Sequence, residues 1–343
     1  MMTEKIGVLG GGSWGTALAI LLSNKGYDVN MWLRNKEQIE DMNNTRMNNK
    51  YLPNVVFPSN LRLTDDLEKV NYKAEAIVLS VGTHGIREVL NNSKSYIKPE
   101  QIIVNVSKGI ENESLLRISE IVEEFLPKNR YAILSGPSHA EEVANQMPTT
   151  VVSASKYKDV AEYVQDLFIT PSFRVYTNPD VIGVELGGAL KNIIALGAGV
   201  SDGLNYGDNT KAALMTRGIF EMARLGEKMG AQTDTFSGLS GIGDLIVTCT
   251  SMHSRNRRAG ILIGQGKKVE DAVKEIGMVV EGIKTTKSAY KLAQKYNIDM
   301  PITEEIYGVL YEGEDVKNSV SNLMIRERKH EMENIVLEKN NLW

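Results

Sequence analysis

The sequence predicts an α/β protein in two domains, with a mainly parallel sheet in the N-terminal half and an all-helical C-terminal half. Short apolar runs of strand length recur through the first half, separated by longer segments, and helical periodicity replaces them after residue 178. A length of 343 residues also exceeds what one hydrophobic core usually serves. We therefore place the domains at residues 1–178 and 179–343.

The first strand, turn and helix lie in GVLGGGSWGTALAILLSNKG, at residues 7–26. An apolar run leads into glycines, and apolar residues at helical spacing follow them. Gly10, Gly12 and Gly15 fit the G-x-G-x-x-G pattern, which allows a tight turn, a close approach of pyrophosphate and close helix–strand packing. The N-terminus of the following helix attracts phosphate groups. These features predict an N-terminal Rossmann-type dinucleotide-binding domain.

The end of the second predicted strand, at residues 28–33, bears on the choice of cofactor. An acid usually lies about 20 residues after the glycine motif and binds the ribose 2′-hydroxyl of NAD. Here the chain has Arg34 and Lys36 instead, and cations at this place can neutralise a 2′-phosphate. We expect NADP to be accepted at least as readily as NAD. The alternative is that both cations are simply solvated.

Four more apolar runs extend the predicted sheet, at residues 75–81, 101–107, 131–135 and 149–154. Their nearly continuous apolar character is typical of strands buried on both faces of a mainly parallel sheet. Lys108 follows the second of these runs, and a loop at residues 136–140 follows the third. Because ligands bind outside the carboxyl ends of such strands, both places are candidates for contacts near the reacting groups. Each could also be a plain connection.

The helical half begins after TNPD at residues 177–180, where Asn178 can cap a helix and Pro179 suits its first position. We expect a stripe of apolar residues between 210 and 229 to be core, namely Ala212, Met215, Ile219, Met222 and Met229. The last segment, residues 326–343, is predicted to be a charged helix with a frayed end.

Lys191 is the residue most out of place in the helical half. Its neighbours at helical spacing are Gly187, Gly188, Ile194 and Ala195, and none of these can pair with an ammonium group. Desolvation on such a face would lower the pKa of the amine and make it a serviceable general base. Alternatively, the stem lies on apolar surface while the ammonium group reaches water. The residues alone leave both interpretations open.

A glycine-rich stretch at residues 237–260 contains two candidate features. Its glycines predict a tight turn that presents Asp244, and a phosphate loop is poorly supported because no apolar strand precedes them. Ser254 can cap a helix whose start, with Arg255 and the backbone N–H of Asn256, would bind a small phosphate or carboxylate. The arginines there could also form a solvated face. A nucleic-acid patch is disfavoured, because no wider basic stripe or aromatic interleaving accompanies them.

Composition excludes several classes of function. A net charge of −4 argues against wholesale attraction to nucleic acid or to anionic membranes. The longest apolar stretch, residues 181–200, contains Glu185 and Lys191, so we expect no membrane span. A single cysteine, Cys249, excludes an internal disulfide. Together with the lack of a secretory leader, this favours the cytoplasm. No metal site is predicted.

Seven motifs resemble, in order and spacing, the prokaryotic type of NAD(P)-dependent glycerol-3-phosphate dehydrogenase. They are GGGSWGTALA, NVSKGI, LSGPSHAEE, GGALKNIIA, FSGLSGIGDLIVTCTS, HSRNRRAG and MVVEG. The resemblance covers about residues 5–335. It implies reversible hydride transfer between sn-glycerol 3-phosphate and dihydroxyacetone phosphate, with NADP or NAD as cofactor, in support of glycerophospholipid synthesis. It also implies that the C-terminal all-helical domain is the substrate domain.

The same resemblance implies roles for individual residues, with Lys191 as the general base that Asp244 orients. The cofactor would be bound by the three glycines named above and by Ser13, Trp14, Arg34, Tyr51, Lys108, Ala140, Arg255, Val279 and Glu281. The substrate would be bound by Lys108, Gly136, Ser138, Lys191, Asp244, Ser254, Arg255 and Asn256. Two rival hypotheses are a related dehydrogenase of carboxylate substrates and a nucleotide sensor without activity. The sequence leaves the oligomeric state open, a homodimer included.

Overall fold

An eight-stranded sheet forms the framework of the N-terminal half of the computed structural model, which describes residues 4–328 and 331. The strands of the protein are β1 (Lys5–Leu9), β2 (Asp28–Trp32), β3 (Met47–Asn48), β4 (Leu52–Val56), β5 (Leu61–Thr64), β6 (Ala76–Leu79), β7 (Ile102–Asn105), β8 (Tyr131–Ser135), β9 (Thr149–Ala154) and β10 (Phe173–Asn178). The sheet order is β10-β9-β8-β7-β6-β1-β2-β5, while β3 and β4 form a separate hairpin. Only the β8–β9 pair within the sheet is antiparallel among the described residues.

All six apolar runs predicted as strands are strands, namely β1, β2, β6, β7, β8 and β9. Sequence reasoning missed β5 and β10, which lie at the two edges of the sheet. It also missed the β3–β4 hairpin. An edge strand is only partly buried, so it lacks the continuous apolar run that marks the central strands.

Seven helices accompany the sheet: α1 (Ser13–Asn24), α2 (Lys36–Thr45), α3 (Leu67–Asn71), α4 (Ile86–Ser93), α5 (Ile118–Phe125), α6 (Ala140–Ala144) and α7 (Lys158–Phe168). Side chains alternate between the two faces of each strand, so the sheet has a separate apolar core on each side. On β6, Val78 belongs to one core, with Leu18 of α1, and Ile77 belongs to the other, with Ile121 of α5.

The C-terminal half is helical, with short 3₁₀ and π turns at Thr233–Ser237, Leu239–Gly243 and Gly308–Glu312. Its helices are α8 (Val181–Gly203), α9 (Asp208–Lys228), α10 (Asp244–Thr250), α11 (Arg255–Gly264), α12 (Val269–Ile276), α13 (Glu281–Tyr296), α14 (Pro301–Tyr307) and α15 (Val316–Ile325). The proposed domain boundary falls between β10 and α8. Helix α8 is long and apolar enough to cross a membrane, yet 89% of its most apolar window is buried inside the protein, as in a core helix.

Two details of the helical half differ from expectation. Met222 is buried and three other members of the predicted stripe on α9 pack against the core, but Ala212 is exposed. Helix α15 ends at Ile325, and most of the terminal helix predicted for residues 326–343 lies outside the described residues.

Helices α8 and α11 cross with their backbones in direct contact. Gly199 and Gly203 of α8 face Gly260 and Gly264 of α11, one turn apart on each helix. A β-carbon at any of these four positions would lie 2.0–2.4 Å from a carbonyl oxygen of the other helix. Because no larger residue fits, the glycines fix where the N-terminus of α11 lies along α8.

Asp180, not Asn178, caps α8. The Asp180 carboxylate accepts hydrogen bonds from Gly183 N (2.9 Å), Gln232 N (2.8 Å) and Thr235 Oγ1 (2.7 Å). The Asn178 side chain instead accepts from the backbone N–H of Asp180, at 2.8 Å. The prediction of Asn178 as the cap was therefore wrong, because the buried carboxylate also satisfies donors more than fifty residues away.

Replacement of Asp180 by Ala should lower the free energy of unfolding by about 2–4 kcal/mol, because a cap is lost and buried donors are left without an acceptor. The control is Asn178→Ala, which removes one local hydrogen bond and should cost about 0.5–1.5 kcal/mol. Urea denaturation of both variants measures the difference. Equal losses in the two variants would contradict the assignment of the cap.

Candidate active site

A cavity of about 460 Å³ lies where loops that follow the sheet strands meet the helical half. It brings together eleven of the residues that the sequence predicted: Ser13, Trp14, Lys108, Ser138, Ala140, Lys191, Ser254, Arg255, Asn256, Val279 and Glu281. Ser13 belongs to the N-terminal half and Glu281 to the helical half, so both halves of the chain line the cavity.

Asp244 joins two lysines inside this cavity wall. Its Oδ1 accepts a hydrogen bond from Lys191 Nζ at 2.5 Å, and its Oδ2 accepts one from Lys108 Nζ at 2.6 Å. Lys191 Nζ also donates to Thr248 Oγ1 at 2.7 Å. Lys191 and Asp244 are both buried, so the ammonium group of Lys191 does not reach out into water. The alternative in which the ammonium group reaches water is therefore wrong.

Opposing effects shift the pKa values of Lys191 and Asp244. Burial lowers the pKa of Lys191 to about 8, and the pull of Asp244 in the other direction only partly offsets it. Burial would raise the pKa of Asp244, but Lys108 and Lys191 outweigh it and hold that pKa below its usual value. The carboxylate therefore stays charged while Lys191 can exchange a proton near neutral pH.

Two adjacent glycines of α8 allow this cluster to form. A β-carbon on Gly187 would lie 2.6 Å from the carbonyl oxygen of Ser240, in the π turn that precedes α10. A β-carbon on Gly188 would lie 2.9 Å from Ser135 Oγ and 3.4 Å from Lys108 Cγ. The turn that presents Asp244 and the stem of Lys108 thus pack directly on α8, one turn before Lys191.

The start of α11 offers an anion site on the same cavity. Ser254 caps the helix, with its Oγ accepting from Arg257 N at 3.2 Å, as the sequence predicts. The Asn256 side chain has structural partners, since it donates to Asn192 Oδ1 (2.9 Å) and accepts from Gly282 N (2.8 Å). Asn256 therefore offers its backbone N–H to a ligand. Burial lowers the pKa of the Arg255 guanidinium, and the charge of Glu281 opposes this.

The glycine loop after β1 has the geometry that a pyrophosphate requires. Gly10 adopts φ +117°, and a β-carbon on Gly15 would lie 2.1 Å from the Gly10 carbonyl oxygen. Next to Gly12 there is open space, with no atom within 4 Å of where a β-carbon would be. The three glycines thus match the tight turn, the close helix packing and the open approach that their spacing predicts.

The other predicted residues lie outside the cavity wall. The Arg34 side chain is 80% exposed and lies 3.8 Å from Glu88, and Lys36 is paired with Asp65 at 3.2 Å. Tyr51 is half-buried beside the β3–β4 hairpin. Two predicted substrate residues support the wall from behind, since Asp244 holds both lysines and the Gly136 carbonyl accepts from Lys108 Nζ at 3.0 Å.

The cavity also contains residues to which sequence reasoning gave no role: Ser80, Gly82, His84, Ser107, His139, Glu141, Asn192, Thr248, His253, Arg258 and Met278. His139 and His253 face each other with ring centroids 5.6 Å apart, and burial and Lys191 lower the pKa of His139. Both lie inside recognised motifs, so the motifs could have drawn attention to them. Among residues 4–328 and 331, no group of three His, Cys, Asp or Glu side chains could hold a metal ion.

Comparison with known proteins identifies the family. Residues 5–161 match the family model "NAD-dependent glycerol-3-phosphate dehydrogenase N-terminus", and residues 180–321 match the corresponding C-terminus. A glycerol-3-phosphate dehydrogenase [NAD(P)+] of Pelotomaculum thermopropionicum is 57% identical over 339 residues, covering 98% of this chain and 97% of the relative. The chain belongs to this family. These matches confirm the predicted fold class, a Rossmann-type domain followed by a helical domain.

Further relatives agree over nearly the full length. The glycerol-3-phosphate dehydrogenase [NAD(P)+] of Bacillus subtilis is 55% identical over 336 residues, covering 97% of each chain. The crystal structure of glycerol-3-phosphate dehydrogenase from Coxiella burnetii superimposes with a TM-score of 0.92 at 40% identity, covering 94% of this chain and 99% of that one. The resemblance drawn from seven motifs is thus confirmed at the level of the family.

The variant Asp244→Asn should lower the free energy of unfolding by about 3–5 kcal/mol at pH 7, because it leaves buried ammonium charge without its counter-ion. The loss should shrink as the pH rises through about 8, because a neutral Lys191 no longer needs a counter-ion. Urea denaturation at pH 7 and pH 9.5 measures both effects. Thr248→Val, which removes only the hydroxyl partner of Lys191, is the control and should cost less. An equal loss at both pH values would contradict the role of Asp244 as counter-ion.

Proposed function

We propose that this chain interconverts sn-glycerol 3-phosphate and dihydroxyacetone phosphate by hydride transfer with NADP or NAD. The observation that carries the proposal is the buried amine of Lys191, with a pKa of about 8, on the same cavity as an anion-binding helix start and a dinucleotide loop. The family and the names of its relatives support this substrate pair. A carboxylate dehydrogenase or an inactive nucleotide sensor receives no comparable support.

The residues divide the work of the reaction. In oxidation, neutral Lys191 takes the proton of the C2 hydroxyl group, and in reduction its ammonium form returns that proton to the C2 oxygen. Lys108 lies beside it and stabilises negative charge that develops on the oxygen. Asp244 orients both amines through the hydrogen bonds described above. Arg255 and the start of α11 hold the substrate phosphate, with Ser138 and the Gly136 turn near the rest of the substrate.

The residues at the glycine loop fit a nicotinamide dinucleotide. When bound, this cofactor would accept the hydride from C2 of the substrate or return it there. The open approach at Gly12 suits the pyrophosphate, and the N-terminus of α1 at Ser13 faces it. Trp14 Nε1 is buried and has no hydrogen-bond partner in the described part of the chain, which suits contact with a polar ligand. We also assign Tyr51, Ala140, Val279 and Glu281 to cofactor binding.

The proposal has three wider parts. A supply of glycerol 3-phosphate for glycerophospholipid synthesis follows from the family resemblance, a cytoplasmic location is inferred from the single cysteine, and a homodimer is the oligomeric state to be tested. Absorbance at 340 nm with dihydroxyacetone phosphate and each reduced cofactor tests the reaction itself. Sedimentation velocity of the purified protein tests the dimer.

The variant Lys191→Met should lower kcat by about 10² to 10⁴, because it keeps the apolar stem but removes the acid–base group. In the wild type, oxidation should speed up with pH through about 8, since only the neutral amine accepts the proton. The variant should lose this pH limb and keep its affinity for NADPH. If a folded variant kept more than about a tenth of the wild-type kcat, the proton transfer would have to be assigned to another group.

The variant Arg34→Asp should shift preference from NADPH toward NADH, because a carboxylate repels the 2′-phosphate and accepts a hydrogen bond from a free 2′-hydroxyl. We expect the variant to fold normally, because the Arg34 side chain is exposed and its ion pair with Glu88 lies at the surface. The ratio of kcat/KM for the two cofactors measures the shift. The control Arg34→Gln should weaken NADPH without improving NADH. An unchanged ratio in Arg34→Asp would place the 2′ end elsewhere.

A further inference from the structure

The three arginines at the start of α11 have different environments. Arg257 is structural, because its Nε and Nη2 donate to Asp202 Oδ2 of α8 at 2.8 and 2.7 Å. Its Nη1 also donates to the Thr250 carbonyl oxygen at 2.8 Å. Arg255 lines the cavity, where the start of α11 supplies the anion site. The third arginine, Arg258, has been given no role by the sequence or by the proposed reaction.

Arg258 lines the same cavity as Arg255, three residues further along α11, so the two side chains leave the helix on one face. Among residues 4–328 and 331, no carboxylate oxygen lies within 4 Å of its guanidinium nitrogens. Its Nε is buried and has no hydrogen-bond partner in that part of the chain. A partly buried guanidinium without a counter-ion is costly unless a ligand supplies the charge.

The cavity as a whole has a surplus of positive charge. Four cationic and two anionic side chains line it, namely Lys108, Lys191, Arg255, Arg258, Glu141 and Glu281. Asp244, behind the wall, is shared between the two lysines. On the α11 side, Glu281 and Glu141 act favourably on the charge of Arg255, while Arg258 repels it. An anion with several oxygens would relieve this repulsion.

We infer that Arg258 is a phosphate-binding residue of this cavity, acting beside Arg255. The planar guanidinium matches the oxygens of a phosphate group and binds them with charge-assisted hydrogen bonds. Two phosphate sources exist in the proposed reaction on which this inference rests: the phosphate monoester of the three-carbon substrate and the pyrophosphate of the dinucleotide. Met278 and Val279 line the cavity together with Arg258.

The experiment compares Arg258→Met with Arg258→Lys, Arg257→Met and Arg255→Met. Three quantities are measured for each: the rise in Tm caused by inorganic phosphate, the Kd for NADPH from quenching of protein fluorescence, and the KM for dihydroxyacetone phosphate. Arg257→Met is the matched control, since it removes an arginine from the same helix that already has a carboxylate partner. It should lower Tm without ligand and leave the three ligand responses within about twofold of the wild type.

Arg258→Met should keep the Tm of the ligand-free protein and lose most of the Tm rise that phosphate causes, because ligand stabilisation follows from affinity. Either the Kd for NADPH or the KM for dihydroxyacetone phosphate should rise at least about tenfold, the usual effect of losing a hydrogen bond to a charged group. The quantity that rises identifies the phosphate. Arg258→Lys should recover part of the loss, because it restores the charge without the planar fork.

An Arg258→Met protein with both constants and the phosphate response within about twofold of the wild type would overturn the inference. So would a variant whose ligand-free Tm falls while its ligand affinities hold, which is the behaviour of a structural arginine. These outcomes are distinct from failure of the proposed function, which would appear as a wild type that binds NADPH but does not reduce dihydroxyacetone phosphate. Arg255→Met, as the positive control, shows that the assays detect a lost phosphate contact.

Discussion

The carboxylate of Asp244 holds two ammonium groups in a region that water barely reaches, and the geometry of the cavity follows from it. A buried ion pair rarely adds stability by itself, because each charge loses its hydration. Here the same cost is what brings the pKa of Lys191 near neutrality. Asp244 keeps that lowering moderate and fixes the direction of both amines. A stronger pairing would leave Lys191 permanently charged, and no pairing would leave it neutral and free to turn.

This carboxylate can reach both lysines only because α8 has no side chains in the way. Gly187 and Gly188 let the turn before α10 and the stem of Lys108 lie directly on the helix that carries Lys191. The cap at Asp180 fixes the beginning of the same helix to the segment after α9. Packing, capping and proton chemistry therefore depend on one helix, which explains why it is apolar over its length and why 89% of its most apolar window is buried.

How much the sequence predicts depends on how local the signal is. Central strands have continuous apolar runs, and the cap at Ser254 and the glycine loop act within a few residues, so all of these could be predicted. The edge strands β5 and β10 could not, because only one of the four residues of β5 and two of the six of β10 are buried. The partner of Lys191 lies 53 residues away in the chain, and no periodicity connects them. Arg257 differs from Arg258 through its partners Asp202, on another helix, and Thr250, which no local pattern connects with it.

The close contact between α8 and α11 fixes the position of one part of the site relative to another. Lys191 is on one helix and the anion site is at the start of the other, and glycine-to-carbonyl contacts prevent the two helices from sliding or rolling. The backbone separation between Lys191 and the start of α11 is therefore set by helix packing, and the hydrogen bond to Asp244 then sets the direction of the amine. A side chain at any of these glycines would therefore change the distance between Lys191 and the start of α11 without touching either of them.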